Sequence, residues 1–385
     1  MSVDLPFHRA WFDDDEIGEV VDTLKSGWLT TGPKAFRFEE AFAEYVGCRH
    51  AVALNSCTAG LHLAIAIQDF AAGDEVITTP MTFPATANMI VLSGLKPVFV
   101  DIEPDTLNLD AGKVEEKIGP RTRAILPVHF AGHSCDMDAI GGLARVHGLT
   151  VIEDAAHALG AGYKGRSIGG LGNLAAFSFY ANKNITTGEG GMLVTDDEGQ
   201  AERFRCMRLH GLSRDAWKRF GKSGFAHWQL NAPGYKYNMS DINAALGIHQ
   251  LKKADRFLEI RARHAARYDA AFRGIGELET LATKDYARHA LHLYIIALKL
   301  ERLTVSRDEF LDAMQQSGIG VAVHYVALHL QPFYRDTFPH PAESLPVATE
   351  YSRRILSLPL YPKMQPADVE RVIDTVKTLV AKYRK

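Results

Sequence analysis

A lysine just beyond a short apolar run has the greatest chemical reach in this chain. In 175-AAFSFYANKNITTGEGG, Ser178 and Lys183 sit at and just past a segment that reads as a buried strand, and a glycine-rich turn follows. Burial lowers the pKa of an amine, and a neutral lysine can form a Schiff base with a carbonyl compound. Glycines in the turn would let a ligand approach the backbone closely. Surface lysines are far commoner, so Lys183 read alone decides nothing. The run 151-VIEDAAH delivers Glu153 and Asp154 to its end. A carboxylate there can neutralise a cation such as a protonated pyridine nitrogen, or serve only as a helix cap or ion-pair partner. In 55-NSCTAGLHLAI, small polar residues open a helix after 51-AVAL. Such a helix start can bind phosphate through Thr58, Ala59 and their backbone N–H groups, or be no more than a capped helix. In 78-TTPMTFPATANMI, Phe83 enters a helix after a proline-containing turn and offers a flat face to an aromatic ring, or a core side chain.

These groups need elements to position them. Ile17, Val20, Val21 and Leu24 recur at helical spacing, and Gly27 ends that segment. The runs 51-AVAL, 75-EVITT, 97-PVFV, 124-AILPV, 150-TVIED, 175-AAFSF and 191-GMLVT follow, most of them separated by helix-like stretches. They are rich in β-branched or aromatic types and show little polar alternation, which predicts strands buried on both faces of a mainly parallel α/β sheet. Ligands sit at the carboxyl ends of such strands. Past residue 250 the texture changes: a long charged helix at about 254–273, 292-HLYIIALKL, a helix near 307–317, a strand near 320–325 and two closing helices. This predicts a large domain over 1–253 and a smaller α+β domain over 254–385. The stretch at about 212–235 lacks periodicity, as a functional or mobile loop does.

Bulk properties narrow the function classes. The 385 residues are 46% hydrophobic and 23% charged with a formal net charge of -3, the balance of a globular protein with no general affinity for nucleic acid or anionic membrane. No apolar run approaches the ~20 residues of a membrane helix. The start, MSVDLPFHRAWFDDDE, lacks the basic and apolar regions of a signal peptide. Cys48, Cys57, Cys135 and Cys206 form no CxxC pair, so no metal is expected and a reducing cytoplasm fits.

The order of the signals says more than any one of them. Phosphate-type helix start, aromatic, strand-end acid, then serine and lysine is the chain order of fold-type I pyridoxal-phosphate (PLP) enzymes. From about residue 5 to the C-terminus the sequence resembles the sugar aminotransferases of the DegT/DnrJ/EryC1/StrS family, through SGWLTTGPK, NSCTAGLHLA, PVHFAGHSCDMDAI, VIEDAAHALGA, TTGEGG, GYKYNMSDINAALG and AVHYVALHLQPFY. The resemblance implies that Lys183 carries PLP and moves the proton between sugar and cofactor. It implies that Asp154 pairs with the pyridine nitrogen, Phe83 stacks on the ring and His157, in place of a common Gln, bonds the 3-oxygen. Thr58, Ala59 and Ser178 would hold the phosphate. Many members read Gly-Tyr-Asn-Tyr-Arg where this chain has Gly234-Tyr235-Lys236-Tyr237-Asn238, so either Lys236 or Asn238 would reach the neighbouring subunit's site in a homodimer.

For substrate, the resemblance points to His324 and Tyr325, with Thr30, Thr31 and Tyr180 as further candidates. The YKYN form is similar to the branch that aminates UDP-4-keto-pentose, while VITTPMTFPATAN and VHFAGHSCDM are similar to enzymes acting on UDP-4-keto hexoses. The implied reaction is a ping-pong transfer from L-glutamate, released as 2-oxoglutarate, to a UDP-linked 4-keto sugar for cell-surface polysaccharide or glycolipid synthesis. C3 amination of a dTDP-keto sugar and a non-catalytic PLP-binding regulator are the alternatives. A dehydratase of the same fold would carry histidine in place of Lys183.

Overall fold

The computed structural model describes residues 4–212, 229–341 and 344–385, and in it all the apolar runs named above up to residue 195 join one sheet. Its strands are β1 (His50–Leu54), β2 (Glu75–Thr78), β3 (Lys96–Phe99), β4 (Thr122–Leu126), β5 (Thr150–Asp154), β8 (Leu174–Ser178) and β9 (Gly191–Thr195). The order is β1-β9-β8-β5-β4-β2-β3, with only β9 antiparallel to its neighbours. Two short strands, β6 (Gly162–Tyr163) and β7 (Arg166–Ser167), pair aside with β11 (Ala287–Arg288). Every residue of β8 and β9 is buried, so neither strand can alternate apolar and polar side chains.

The helices that cover this sheet are α1 (Asp14–Ser26), α2 (Pro33–Val46), α3 (Cys57–Ala66), α4 (Pro84–Leu92), α5 (Met137–His147), α6 (Glu198–Met207) and α7 (Asp241–Lys252). Helix α1 starts on an Asp13–Glu16 capping box and stops at Gly27, whose φ of 73° is the left-handed conformation glycine tolerates. Its burial runs opposite to its hydrophobicity. Ile17, Val21 and Leu24 are exposed, whereas Glu16 and Thr23 are buried. Glu16 faces inward because Lys253 Nζ and Gln250 Nε2 each donate to it at 2.7 Å. Phe12 and Leu29 are exposed as well, so the first forty residues hold several exposed large apolar side chains.

Beyond residue 253 come α8 (Ala254–Phe272), β10 (Leu278–Thr280), β12 (Tyr294–Leu298), α9 (Arg307–Gln316), α10 (Pro332–Thr337), α11 (Pro346–Arg354), β13 (Ile355–Leu358) and α12 (Pro366–Tyr383). Strands β10, β12 and β13 make an antiparallel sheet. Two expectations need correction. Residues 320–325 are not a strand: Ala322 forms a single bridge to Ser357, and the Gly320 N–H is spent on the Leu5 carbonyl at 2.8 Å. The closing region has three helices rather than two, with β13 between the last pair, because β12 supplies an edge on which the apolar Ile355–Leu358 run can pair. The chain start packs here too, Leu5 bridging to Ile319.

Candidate active site

Six of the predicted cofactor positions, Thr58, Phe83, Asp154, His157, Ser178 and Lys183, converge on one cleft of about 730 Å³, at the carboxyl ends of the parallel strands. The pleat of β5 separates its two acids. Glu153 points away and is taken by His129 Nε2 at 2.8 Å and Asn173 Nδ2 at 2.7 Å, while Asp154 faces the cleft. Thr86 Oγ1 donates to Asp154 at 2.7 Å and the Ala156 N–H at 3.0 Å. Both donors are neutral, so the charge of Asp154 stays available to a cation. Burial pushes its carboxyl above the usual range, with the two hydrogen bonds and Lys183 acting the other way.

Lys183 leaves the end of β8 on a turn closed by its N–H to the Tyr180 carbonyl at 2.9 Å. Burial of the amine lowers its pKa to about 8, against the opposing pull of Cys57 and Asp154. Ser178, the last residue of β8, lines the same wall. Beside it, across Gly191, stands the start of α3, where Ser56 accepts from the Ala59 N–H at 3.1 Å and Thr58 opens on the cleft. Gly191 explains how that helix start comes so near: a Cβ there would lie 2.3 Å from the Ser56 carbonyl carbon. Of the glycine-rich turn, Gly190 lines the cleft while Gly191 serves the chain's own backbone. Phe83 caps α4 with 60% of its surface exposed.

His157 is buried and donates to or accepts from the Tyr325 hydroxyl through Nε2 at 3.1 Å, while its buried Nδ1 has no partner among the described residues. Burial, Lys183 and His324 hold its pKa well below 6.5, so it is neutral. His324 and Tyr325 form the far side of the cleft with Tyr180. His324 bonds Ser357 Oγ at 2.9 Å, and burial lowers its pKa to about 4.

Other predicted positions fall elsewhere. Ala59 is buried behind the helix start with its N–H committed to Ser56, so it is not a wall of the cleft. Thr30 and Lys236 are exposed, and Asn238 donates to Thr31 Oγ1 at 2.7 Å while Thr31 donates to the Met239 carbonyl. None of these four residues lines this chain's cleft. Most of the unpatterned 212–235 stretch lies outside the described residues. The cleft also gains Cys57, Asn182 and His292, which the sequence did not single out. His292 belongs to no motif and lies just before β12; its ring packs 4.3 Å from that of His157, which brings it to the cleft.

A free amine with this pKa has a signature. In cofactor-free protein, the rate at which Lys183 captures pyridoxal is expected to rise through about pH 8 and level off above it, because only the neutral amine attacks. A rise continuing toward pH 10.5 would mean the amine is not desolvated.

Residues 11–377 match the DegT/DnrJ/EryC1/StrS aminotransferase family. The chain belongs to that family. It is 48% identical over 377 residues to the spore coat polysaccharide biosynthesis protein SpsC of Bacillus subtilis, covering 98% of this chain and 97% of SpsC. Helicobacter pylori PseC, an aminotransferase involved in pseudoaminic acid biosynthesis, superposes with a TM-score of 0.91 at 32% identity, over 98% of this chain and 100% of PseC. Spr1654 of Streptococcus pneumoniae in its PMP form matches with a TM-score of 0.90 at 33% identity over 98% of each chain, and its PLP form is also solved. This aminotransferase is accordingly PLP-dependent. Its own residues fit the cofactor: the orphaned Nδ1 of His157 is a buried donor or acceptor awaiting a ligand atom, and Asp154 lacks a cationic partner among its hydrogen bonds.

Proposed function

We propose that this aminotransferase moves an amino group from L-glutamate to a UDP-linked 4-keto sugar in a ping-pong cycle, serving cell-surface polysaccharide or glycolipid synthesis. The observation that carries the reading is the pairing of a desolvated Lys183 amine, pKa about 8, with a buried Asp154 whose charge is unspent. Asp154 would hold the pyridine nitrogen protonated, His157 would bond the ring oxygen and Phe83 would cover the ring face. Thr58 and Ser178 would hold the phosphate at the start of α3, where helix N–H groups favour an anion. PLP bound there supplies the electron sink that stabilises charge developing on the substrate carbon. Lys183 would carry the proton to and from that carbon, since a pKa near the working pH suits both directions.

The sugar reading is supported by the company the chain keeps, SpsC and PseC among its relatives, and by a cleft whose far side comes from the segment carrying His324 and Tyr325. That arrangement fits a large domain over 1–253 and a small one over 254–385 meeting at the substrate. The exposed apolar side chains of the first forty residues suit a homodimer, in which Asn238 or Lys236 would reach the partner's site. Light scattering that finds a monomer would remove the two-chain site.

The test of the reaction is the visible spectrum of the PLP-loaded protein. The band is expected to bleach with L-glutamate and to return with a UDP-4-keto sugar. Bleaching without return means a different sugar; no bleaching removes glutamate as donor.

A further inference from the structure

His157 has two ring nitrogens with different fates. Nε2 lies 3.1 Å from the Tyr325 hydroxyl, and Nδ1 is buried without a partner among the described residues. A neutral imidazole carries one N–H and one lone pair, and a hydroxyl can satisfy either, so this pair alone does not choose the tautomer. The other side of the ring chooses. We propose that Tyr325 is a positioning residue that donates to His157 Nε2 and thereby fixes His157 as the Nδ1–H tautomer, presenting a donor to a phenolate-type oxygen bound in the cleft. The inference rests on the PLP site described above, whose ring oxygen is such an acceptor.

Three observations support it. An Nδ1 lone pair facing a phenolate would be a repulsive contact between two acceptors, whereas Nδ1–H makes a charge-assisted bond. Tyr325 keeps its proton, because burial and Asp154 raise its hydroxyl far above the ordinary tyrosine value. The neighbouring His292 is no substitute. Asn184 spends its amide protons on the Leu159 and Ala290 carbonyls at 3.2 and 2.9 Å, so its Oδ1 can only accept from His292 Nδ1 at 3.1 Å. His292 is thus itself held as an Nδ1–H tautomer, with that proton already engaged, and its ring packs 4.3 Å from that of His157. The remaining titratable groups that act on His157 are Lys183 and His324, and both disfavour its protonation. Tyr325 also lies beside His324, 5.1 Å between rings, so the segment on the substrate side of the cleft would set how strongly His157 polarises the cofactor.

The test combines tautomer and titration. Two-bond ¹H–¹⁵N spectra of histidine-labelled full-length protein, with and without PLP, should show His157 with a protonated Nδ1 and a pyridine-like Nε2, its signals assigned by their loss in His157→Gln. Tyr325→Phe should mix or invert the tautomer. In the loaded protein a donor to the ring oxygen favours the more negative, deprotonated form of the chromophore, so Tyr325→Phe should raise the pH midpoint of the visible band by about three- to tenfold in proton affinity. The same change in a His157→Gln background should leave the midpoint where it is, since a glutamine amide has no tautomer to fix. An Nε2–H tautomer in the wild type, or equal midpoint shifts in both backgrounds, would overturn the proposal. Failure to take up PLP would instead strike the functional reading, while the spectra of the free protein would still decide the tautomer.

Discussion

Lys183→Ala is expected to reduce turnover by about 10⁴-fold or more, since it removes both the covalent anchor and the proton carrier, and the proton-transfer role alone is worth roughly 10²–10⁴. Stability should be unchanged or slightly raised. Burial of the amine lowers its pKa to about 8, and removing an ionisable group held away from water relieves a cost rather than creating one. Single-turnover absorbance with glutamate measures the first effect, and thermal unfolding by circular dichroism the second. A Lys183→Ala protein that still transaminates would end the assignment of Lys183. One that unfolds would show the lysine to be structural.

Asp154→Asn should leave the fold in place and slow the reaction by about 10²- to 10⁴-fold, the equivalent of roughly 3–5 kcal/mol for breaking a buried charge pair. Asparagine preserves the shape and can keep the bond from the Ala156 N–H. Thr86 can turn to accept from the new amide, because its hydroxyl already shares a 2.7 Å contact with Thr82 Oγ1 and either oxygen can donate. A second effect has a fixed sign. Asp154 raises the pKa of Lys183 against the larger effect of burial, so Asp154→Asn should lower that pKa below about 8 and move the midpoint of pyridoxal capture to lower pH. Capture rates against pH and steady-state turnover of the loaded variant test the two together. Full activity with an unmoved midpoint would mean that Asp154 faces neither the cofactor nor the lysine.

The sequence alone settled the sheet and the order of its chemistry. Strands such as β8 and β9 were legible because residues buried on both faces must be uniformly apolar. Lys183, Asp154, Ser178 and Phe83 were legible because each follows directly from a strand end or a helix start, so local order carried them into one cleft. The unseen parts share a cause. The resemblance chose Asp154 over Glu153, but the reason lies in the pleat and in His129 and Asn173 claiming Glu153. Why Gly191 is glycine depends on a helix start packed against it from far away in the chain. Helix α1 turns its apolar stripe outward because Lys253 and Gln250, more than 200 residues later, draw Glu16 in. His292 enters the cleft by ring packing, and Ala59 leaves it because Ser56 takes its N–H. Periodicity and strand-end placement are short-range properties that a sequence displays directly. Partnerships between distant side chains exist only once the chain has closed on itself, and they decide which of the legible groups keeps its charge or proton free for chemistry.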